Sequence, residues 1–367
     1  MENEKFLSEQ IITYIGNKRS LLDFIGKSVD IVKKELGKEK LSTADLFSGS
    51  GVVSRYLKQY SSDLYVNDLE DYSARINSCY LTNKTEVDMS ELDKWYQYLN
   101  ENLSDDKLIK GFISKLYSPD DDKDIKEGER VFYTTRNAKF IDTERQLLEN
   151  VPEPYRTLFM GPLLYEASNR TNTSGVFKGF YKNSTTNIGQ FGGNGKNALK
   201  RILSNIELKK PVLSNYDCKV KIYQEDTVEL VKKLPKMDLV YLDPPYNQHP
   251  YGSNYFMLNL INNYVEPKNI SKVSGIPANW NKSDFNKKAT ALTMMDSICK
   301  NVNAEYVLIS FNSEGFISFE EMVKMLSQYG TVRVFDKKYS TFKACRNLKN
   351  RDLYVKEYLF LLKKECE

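Results

Sequence analysis

The sequence predicts an α/β protein built on a mostly parallel sheet, and three observations support that prediction. Short apolar segments with little polar alternation, typical of strands buried on both faces, occur at residues 44–47, 64–68 and 239–242. Apolar residues recur at helical spacing between the first two of them. A strand, a helix and a strand in that order form a right-handed crossover, which requires a parallel sheet.

The first 80 residues are predicted to form a helix, a strand, a helix, a strand and a helix. Apolar residues at helical spacing between residues 21 and 32 indicate the first helix. The strand at residues 44–47 runs into a glycine-containing segment, which opens the next helix. The second strand, residues 64–68, ends in an acid, Asp68.

Between residues 83 and 205 this pattern loosens into predicted polar helices and loops. Residues 169–195 are rich in Gly, Asn, Ser and Thr, with aromatic and basic residues between them. The α/β pattern then resumes with further predicted strands, the last two of which are expected to pair antiparallel. These strands lie at residues 220–226, 239–242, 306–310, 331–335 and 358–362. A sheet interrupted by an insertion is therefore expected.

Composition excludes several classes of protein. The mean hydropathy is -0.53, and the sequence has no apolar run of about 18 residues, so no membrane-spanning helix is expected. The five cysteines are scattered and odd in number, so neither a disulfide framework nor a zinc site is indicated, and a cytoplasmic protein is expected. The single histidine, His249, is expected to be an exposed loop residue rather than a catalytic group or a metal ligand.

The most informative feature is the Asp-Pro-Pro-Tyr tetrapeptide that follows the strand at residues 239–242. Two consecutive prolines must end that strand because neither donates to a ladder, so the tetrapeptide lies at the carboxyl edge of the sheet, where ligands bind. The exocyclic amine of adenine is a weak nucleophile, and hydrogen bonds to the Asp243 carboxylate and the Pro244 carbonyl would direct its lone pair toward an electrophile. The candidate catalytic residues are Asp243, Pro244, Pro245 and Tyr246. The ring of Tyr246 is expected to stack on the base.

A purely structural alternative is that the prolines merely end a strand while Asp243 caps a turn. The position directly after an apolar strand argues against that alternative.

Three further acids and a glycine loop predict a cofactor site. Residues 47–51 follow a strand and open a helix, so their backbone approaches a ligand closely. The loop lacks the third glycine of a dinucleotide fingerprint and the Gly-Lys-Ser/Thr of a phosphate loop, which disfavours NAD and ATP. Asp68 lies 17 residues after Gly51, placed for ribose hydroxyls, and Asp226 ends a third predicted strand. A sulfonium methyl donor satisfies these features together, although each acid alone is more simply a cap or a turn residue.

Taken together, these motifs resemble those of the D12 class of DNA adenine-N6 methyltransferases, in the motif order of the α group. The matching segments are residues 14–22, 45–51, 67–68, 226, 241–247, 251–255 and 342–344. The resemblance implies a Rossmann-like methyltransferase fold, with an inserted, mainly helical and loop region that recognises the target. It implies S-adenosylmethionine as the cofactor.

The resemblance also assigns roles to individual residues. Tyr14, Gly16 and Lys18 are expected at the methionine end of S-adenosylmethionine, with Lys18 binding its carboxylate. Asp68 is expected at the ribose and Asp226 at the cofactor adenine. The candidate cofactor-binding residues are Tyr14, Gly16, Lys18, Asp45, Phe47, Ser48, Gly49, Gly51, Asp68 and Asp226.

The expected domain organisation follows from the same resemblance. Residues 1–82 and 206–367 are expected to form the catalytic domain, and residues 83–205 the target-recognition region. Where the family often has an arginine after the tetrapeptide, this chain has His249.

The loop at residues 169–195, with its basic and amide side chains, is expected to enter a DNA groove. There an Arg side chain reads guanine, an Asn side chain reads adenine, and Lys side chains neutralise phosphates. A solvated surface loop is the alternative for any one of these residues. The candidate DNA-binding residues are Arg170, Asn172, Lys178, Tyr181, Lys343 and Arg346.

The expected function is methylation of a flipped-out adenine in duplex DNA, in a restriction-modification system. A cognate endonuclease is a candidate partner. The protein is expected to be a monomer in solution. Cytosine-N4 methylation, RNA adenine methylation, and an inactive DNA-binding subunit remain alternatives. A nicotinamide-dependent dehydrogenase is a weaker one, because the glycine fingerprint is incomplete.

Overall fold

The computed structural model describes residues 2–196, 198–340 and 354–365. Within these residues seven strands form one sheet: β1 (Leu41–Asp45), β2 (Ser61–Asn67), β3 (Lys219–Tyr223), β4 (Met237–Leu242), β5 (Ala304–Asn312), β6 (Gly330–Ser340) and β7 (Tyr354–Lys364). Their order across the sheet is β3-β2-β1-β4-β5-β7-β6. The first five pair in parallel, and β7 runs antiparallel between β5 and β6. The predicted parallel sheet with a terminal antiparallel pair is confirmed.

Helices connect and flank the strands, and the predicted element order over the first 80 residues is confirmed. In the described part of the chain the α-helices are α1 (Leu22–Leu36), α2 (Val52–Lys58), α3 (Asp71–Tyr80), α4 (Met89–Asn102), α5 (Phe112–Tyr117), α6 (Thr135–Leu148), α7 (Tyr155–Asn169), α8 (Leu199–Leu203), α9 (Thr227–Leu230), α10 (Tyr251–Asn254), α11 (Phe256–Asn263), α12 (Lys288–Asn301) and α13 (Phe319–Leu326). No helix in these ranges combines the length and apolarity needed to cross a membrane.

Strand β4 shows why its sequence is apolar without alternation. Leu239 and Tyr241 pack with α1 and α2 on one face of the sheet. Val240 and Leu242 pack with α12 and α13 on the other face. Because helices cover both faces, every side chain of the strand except that of Asp238 is buried, as is typical of parallel sheets.

Two of the predicted strands end earlier than expected. β1 ends at Asp45 rather than at residue 47, and β3 ends at Tyr223 rather than at Asp226. Asp226 instead caps the N-terminus of α9, where its Oδ1 accepts a hydrogen bond from the backbone N of Val228 at 2.9 Å. The backbone of Asp226 is extended, as an N-cap residue usually is, and its side chain bonds the first turn of the helix.

The segment between residues 83 and 205 contains α4 to α8 and contributes many residues to a large apolar core that it shares with the rest of the chain. Phe112, Phe132 and Phe159 of this segment pack in one cluster with Tyr72 of α3 and Phe256 of α11. The segment is therefore packed against the helices beside the sheet. The loose sequence pattern did not indicate this core, because its apolar residues come from many short elements.

Candidate functional site

A cleft opens beyond the carboxyl ends of β1, β2 and β4, at the point where the strand order reverses direction. The cleft encloses about 910 Å³ when space open to solvent is included. The predicted site residues that line it are Tyr14, Gly16, Lys18, Asp45, Phe47, Ser48, Gly49, Asp68, Asp226, Asp243 and Pro245. The fold thus brings together residues that are up to 231 positions apart in the chain, from Tyr14 to Pro245.

Residues 14–18 are held against the site by a stack of aromatic rings. The rings of Tyr14, Tyr251 and Tyr255 contact one another, with centroid distances of 4.9 Å from Tyr14 to Tyr251, 4.7 Å from Tyr14 to Tyr255 and 6.0 Å from Tyr251 to Tyr255. The hydroxyl of Tyr255 accepts a hydrogen bond from the Ile15 backbone N at 2.7 Å, and that of Tyr251 donates to the Ile15 carbonyl at 3.2 Å. These contacts explain why the motif at residues 251–255 accompanies the one near the N-terminus.

The glycine loop after β1 is positioned by Tyr14 and by Asp68. A Cβ atom at Gly49, whose φ is +51°, would lie 2.7 Å from the Tyr14 ring, so only glycine permits this approach. The Asp68 carboxylate accepts hydrogen bonds from the backbone N of Gly49 at 2.7 Å and of Glu70 at 2.9 Å. Gly51 does not line the cleft, and its predicted cofactor contact is not supported by its position at the N-terminus of α2.

The charge of the cleft suits a cationic ligand. Among the described residues that line it, Lys18 is the one base, against the acids Asp45, Asp68, Glu70, Glu225, Asp226 and Asp243. Burial raises the pKa of Asp45 to about 7. Its Oδ2 accepts a hydrogen bond from Ser54, whereas its buried Oδ1 lacks a donor with normal hydrogen-bond geometry among the described residues. The residues present therefore fit a cofactor that carries a sulfonium and an ammonium group.

The Asp-Pro-Pro-Tyr motif begins directly after β4, as predicted. Burial raises the pKa of Asp243 to about 6, although the nearby Lys18 lowers it. Pro244 is buried, and Pro245 lines the cleft. The ring of Tyr246 lies edge-on to Phe311 of β5 at 6.0 Å, and a Cβ at Gly16 would be 3.2 Å from its hydroxyl. The motif is therefore fixed between β5 and the N-terminal segment.

The buried ammonium group of Lys18 donates a hydrogen bond to one backbone carbonyl and forms ion pairs with two carboxylates. Its Nζ lies 2.9 Å from Asp243 Oδ1, 3.3 Å from Glu357 Oε1 and 3.2 Å from the Gly16 carbonyl oxygen. Burial lowers the pKa of Lys18, but the two carboxylates outweigh that effect and raise the pKa well above its ordinary value. Because two carboxylates of the protein already pair with Lys18, its predicted contact with the cofactor carboxylate is not supported by this arrangement.

Several lining residues were missed from the sequence. Glu70 is buried, which raises its pKa to about 8, and its Oε2 accepts a hydrogen bond from Asn259 at 2.7 Å. Phe285 lies edge-on to Phe47 at 5.3 Å, and Asn281 donates to the Leu69 carbonyl at 3.1 Å. An acid two residues after Asp68 was a usable signal for Glu70. Residues 281–286 carried no signal, because they lie in a loop that only the fold brings to the cleft.

Two hairpin loops lie outside the set of residues that line the cleft. In the first hairpin, residues 181–190, Gln190 N donates to the Tyr181 carbonyl at 3.0 Å. In the second hairpin, residues 269–278, the Ala278 backbone N donates to the Asn269 carbonyl at 3.0 Å. The Ser274 hydroxyl of the second hairpin donates to the Lys178 carbonyl at 2.6 Å, which joins it to the segment that precedes the first.

The predicted DNA-binding residues differ in exposure. Lys178 is exposed and Tyr181 is half-buried. Arg170 forms an ion pair with the buried Glu166 at 3.5 Å and is tied into the fold. Asn172 is fully buried, and its amide bonds the backbone of Val131, Gln190 and Gly192. The predicted contact of Asn172 with a base is therefore not supported by its position.

Two other predictions concern the basic residues Lys343 and Arg346 and the single histidine. Lys343 and Arg346 lie outside the described residues, as does the motif at residues 342–344. His249 is exposed, as expected.

Comparison with known proteins agrees with the geometry. A family model described as D12 class N6 adenine-specific DNA methyltransferase matches residues 14–325. Type II methyltransferase M.CviAII of Paramecium bursaria Chlorella virus 1 is 31% identical, over 96% of this chain and 98% of its own length. Modification methylase StsI of Streptococcus sanguinis is 30% identical over 96% of this chain and 52% of its length. Type II methyltransferase M.NlaIII of Neisseria lactamica is 26% identical over 96% of this chain and 99% of its length.

Proposed function

The chain belongs to the D12 class of N6 adenine-specific DNA methyltransferases, and we propose that the acid-lined cleft beyond β4 is where it transfers the methyl group. The single observation that supports this most strongly is the position of Asp243. It lies directly after β4, in the cleft wall, with one carboxylate oxygen 2.9 Å from the ammonium of Lys18.

The cofactor is S-adenosylmethionine, which when bound supplies a methyl group carried on a positively charged sulfur. Asp68 and Glu70 accept hydrogen bonds from the ribose hydroxyls, and their common position on the loop after β2 supports this role. Phe47 and Phe285 enclose the adenine, with Asp226 accepting from its amine. Asp45, whose Oδ1 is buried at the cleft wall, balances the positive charge of the cofactor.

Asp243 and Pro244 activate the target adenine. The carboxylate oxygen that does not face Lys18 and the carbonyl of Pro244 each accept one hydrogen bond from N6, which localises the nitrogen lone pair. Burial raises the pKa of Asp243 to about 6, which is still below neutral pH, so most of this carboxylate is ionised at pH 7. The carboxylate accepts the proton that N6 releases after methylation. Tyr246 stacks on the base, held in place by Phe311.

The target adenine lies inside a duplex and must be flipped out to reach Asp243, at a cost of about a few kcal/mol. The region 83–205 recognises the DNA sequence around it, with the second hairpin (residues 269–278) as an added element. Lys178 and Lys272 are exposed on adjoining loops, which supports contacts with DNA phosphates. The catalytic domain comprises residues 1–82 and 206–367.

The proposal also names the substrate, the oligomeric state, the compartment and a partner enzyme. The substrate is double-stranded DNA, the enzyme is a monomer in a prokaryotic cytoplasm, and a cognate restriction endonuclease recognises the same site. If such an endonuclease is expressed with this chain, host DNA is expected to resist its cleavage. A host whose DNA is cut at sites that this enzyme has methylated would remove the endonuclease from the proposal.

Methyl transfer from radiolabelled S-adenosylmethionine to duplex DNA, single-stranded DNA and RNA tests the function. Nucleoside analysis of the product is expected to find N6-methyladenine in the duplex. Asp243→Ala is expected to abolish the transfer while calorimetry still detects cofactor binding. Label found only in N4-methylcytosine, or only in RNA, would contradict the proposed reaction.

A further inference from the structure

One lysine is buried between two carboxylates at the catalytic edge. The side chains of Lys18 and Glu357 are each 4% exposed, and that of Asp243 is 16% exposed. Glu357 comes from β7, so three separate parts of the chain meet here. The hydroxyl of Ser310 on β5 donates to Glu357 Oε1 at 2.7 Å, the same oxygen that lies 3.3 Å from Lys18 Nζ.

The second carboxylate is not explained by charge balance. A buried lysine paired with Asp243 alone would form a neutral pair, whereas Glu357 brings the group to a net charge of −1. Removing another charge from water is costly, so a purely structural role would be filled better by an apolar or neutral side chain. The cost is offset by the Ser310 hydroxyl and by Lys18, which points to a specific need for an anion at this position.

We propose that Glu357 is a positioning residue for methyl transfer, which holds Lys18 so that its ammonium binds one oxygen of Asp243 and leaves the other for the adenine amine. This inference rests on the proposed catalytic role of Asp243. Glu357 acts through Lys18, and no described hydrogen bond or ion pair links it directly to Asp243. Ser310 fixes the carboxylate of Glu357 in turn.

Glu357 also keeps the site negative. As the methyl group is transferred, positive charge moves to N6, and a net anionic group beside Asp243 stabilises that charge. Without Glu357, Lys18 would bind Asp243 alone and neutralise it. The other ionisable groups that face Lys18 or Asp243 are Tyr241, Tyr246, Tyr251 and Asp45, but the described ion pairs of Lys18 are those with Asp243 and Glu357.

Glu357→Gln tests the inference, because the amide keeps the shape and a hydrogen bond from Ser310 but loses the charge. We expect kcat for duplex DNA to fall by about 10- to 100-fold. The acid limb of kcat/KM is expected to move to lower pH, because Glu357 raises the pKa of Asp243 and its removal lowers it. The Kd of S-adenosylmethionine, measured by calorimetry, is expected to stay within about twofold of wild type.

Three further variants make the outcome decisive. Glu305→Gln, the same substitution at an ion pair with Lys236 at the far end of β5, is expected to change neither kcat nor the acid limb. Glu357→Asp keeps the charge and is expected to keep the acid limb of wild type, with a partly reduced kcat. If Glu357→Gln does not fold, Ser310→Ala is the test, and we expect a lower kcat at unchanged cofactor Kd.

The inference is overturned if Glu357→Gln lowers the Tm but leaves kcat and the acid limb at wild-type values, since that is the result of a structural role. It is likewise overturned if Ser310→Ala, used in its place, has wild-type kcat. Asp243→Ala measured in parallel separates the two proposals. If Asp243→Ala remains active, the role of Asp243 fails. If Asp243→Ala is inactive while Glu357→Gln behaves as wild type, the positioning role of Glu357 alone fails.

Discussion

Replacing Lys18 by methionine removes the cation from the buried group while keeping most of the side-chain volume. At an effective dielectric constant of about 20, charges separated by 2.9 and 3.3 Å attract by about 6 and 5 kcal/mol before desolvation is subtracted. Removing one partner of a buried ion pair has a net cost of about 3 to 5 kcal/mol. Lys18→Met is therefore expected to lower the free energy of unfolding by about that amount at pH 8.

The same substitution is expected to change the pH dependence of the reaction. Lys18 lowers the pKa of Asp243, so its loss should raise that pKa further above its present value of about 6. For each unit by which that pKa rises above 7, the ionised fraction of Asp243 at pH 7 falls about tenfold, and kcat/KM at pH 7 is expected to fall with it. Because the acid limb moves up, part of the activity is expected to return at pH 9.

Pre-steady-state methyl transfer across pH 5.5 to 9.5, with cofactor binding by calorimetry, measures this effect. Lys38→Met is the matched control, because Lys38 forms a half-exposed ion pair with Asp238 away from the cleft, and it should change neither activity nor cofactor binding. An acid limb that stays near pH 6 in Lys18→Met would refute the reasoning. A large loss of cofactor affinity with an unchanged acid limb would instead support the predicted contact of Lys18 with the carboxylate of S-adenosylmethionine.

Three further predictions follow from the described contacts. Asp45→Asn should stabilise the protein by about 2 kcal/mol more at pH 8 than at pH 5.5. Burial raises the pKa of Asp45 from 3.8 to about 7, so its carboxylate destabilises the wild-type fold increasingly as the pH rises through that range. Denaturant unfolding at both pH values measures this, and equal effects would contradict it. Asn172→Ala should lower the free energy of unfolding by about 3 kcal/mol, because three backbone groups lose their partner, while leaving the DNA affinity of the folded protein unchanged in fluorescence anisotropy. A selective loss of DNA affinity would restore its predicted role. Tyr246→Ala should slow methyl transfer more than Tyr246→Phe, because stacking needs only the ring, and equal losses would indicate the hydroxyl instead.

The sheet was predictable because its strands are buried on both faces. Residues 239–242 are apolar throughout, and the prolines that follow mark the end of β4 without ambiguity. The strand ends at Asp45 and Tyr223 were predicted too late, because a polar residue after a strand is compatible both with the strand and with a helix cap. Asp226 took the second role.

The site was predictable only in part. The residues of the cofactor loop and the tetrapeptide lie next to strands, so their shared edge follows from topology. The partners of Lys18 do not follow from topology, because Glu357 lies 339 positions away in the sequence. One signal was present: Glu357 shares a strand face with Leu359 and Leu361, which are buried, and a charge on such a face demands a partner.

Asn172 shows why loop residues mislead. It lies in a polar, glycine-rich stretch that suggests a solvated loop, yet its amide is needed inside the protein to bond three backbone groups. Composition reports the average exposure of such a stretch and not that of each residue.

The account depends on Asp243 and Pro244 acting as paired acceptors for the adenine amine. The most direct test is the single-turnover rate of methyl transfer to duplex DNA by Asp243→Asn saturated with S-adenosylmethionine. The account predicts a fall of about 1000-fold or more, with the cofactor Kd within about threefold of wild type. A single-turnover rate within about tenfold of wild type would contradict it, because the amide lacks the charge that the mechanism assigns to this acceptor.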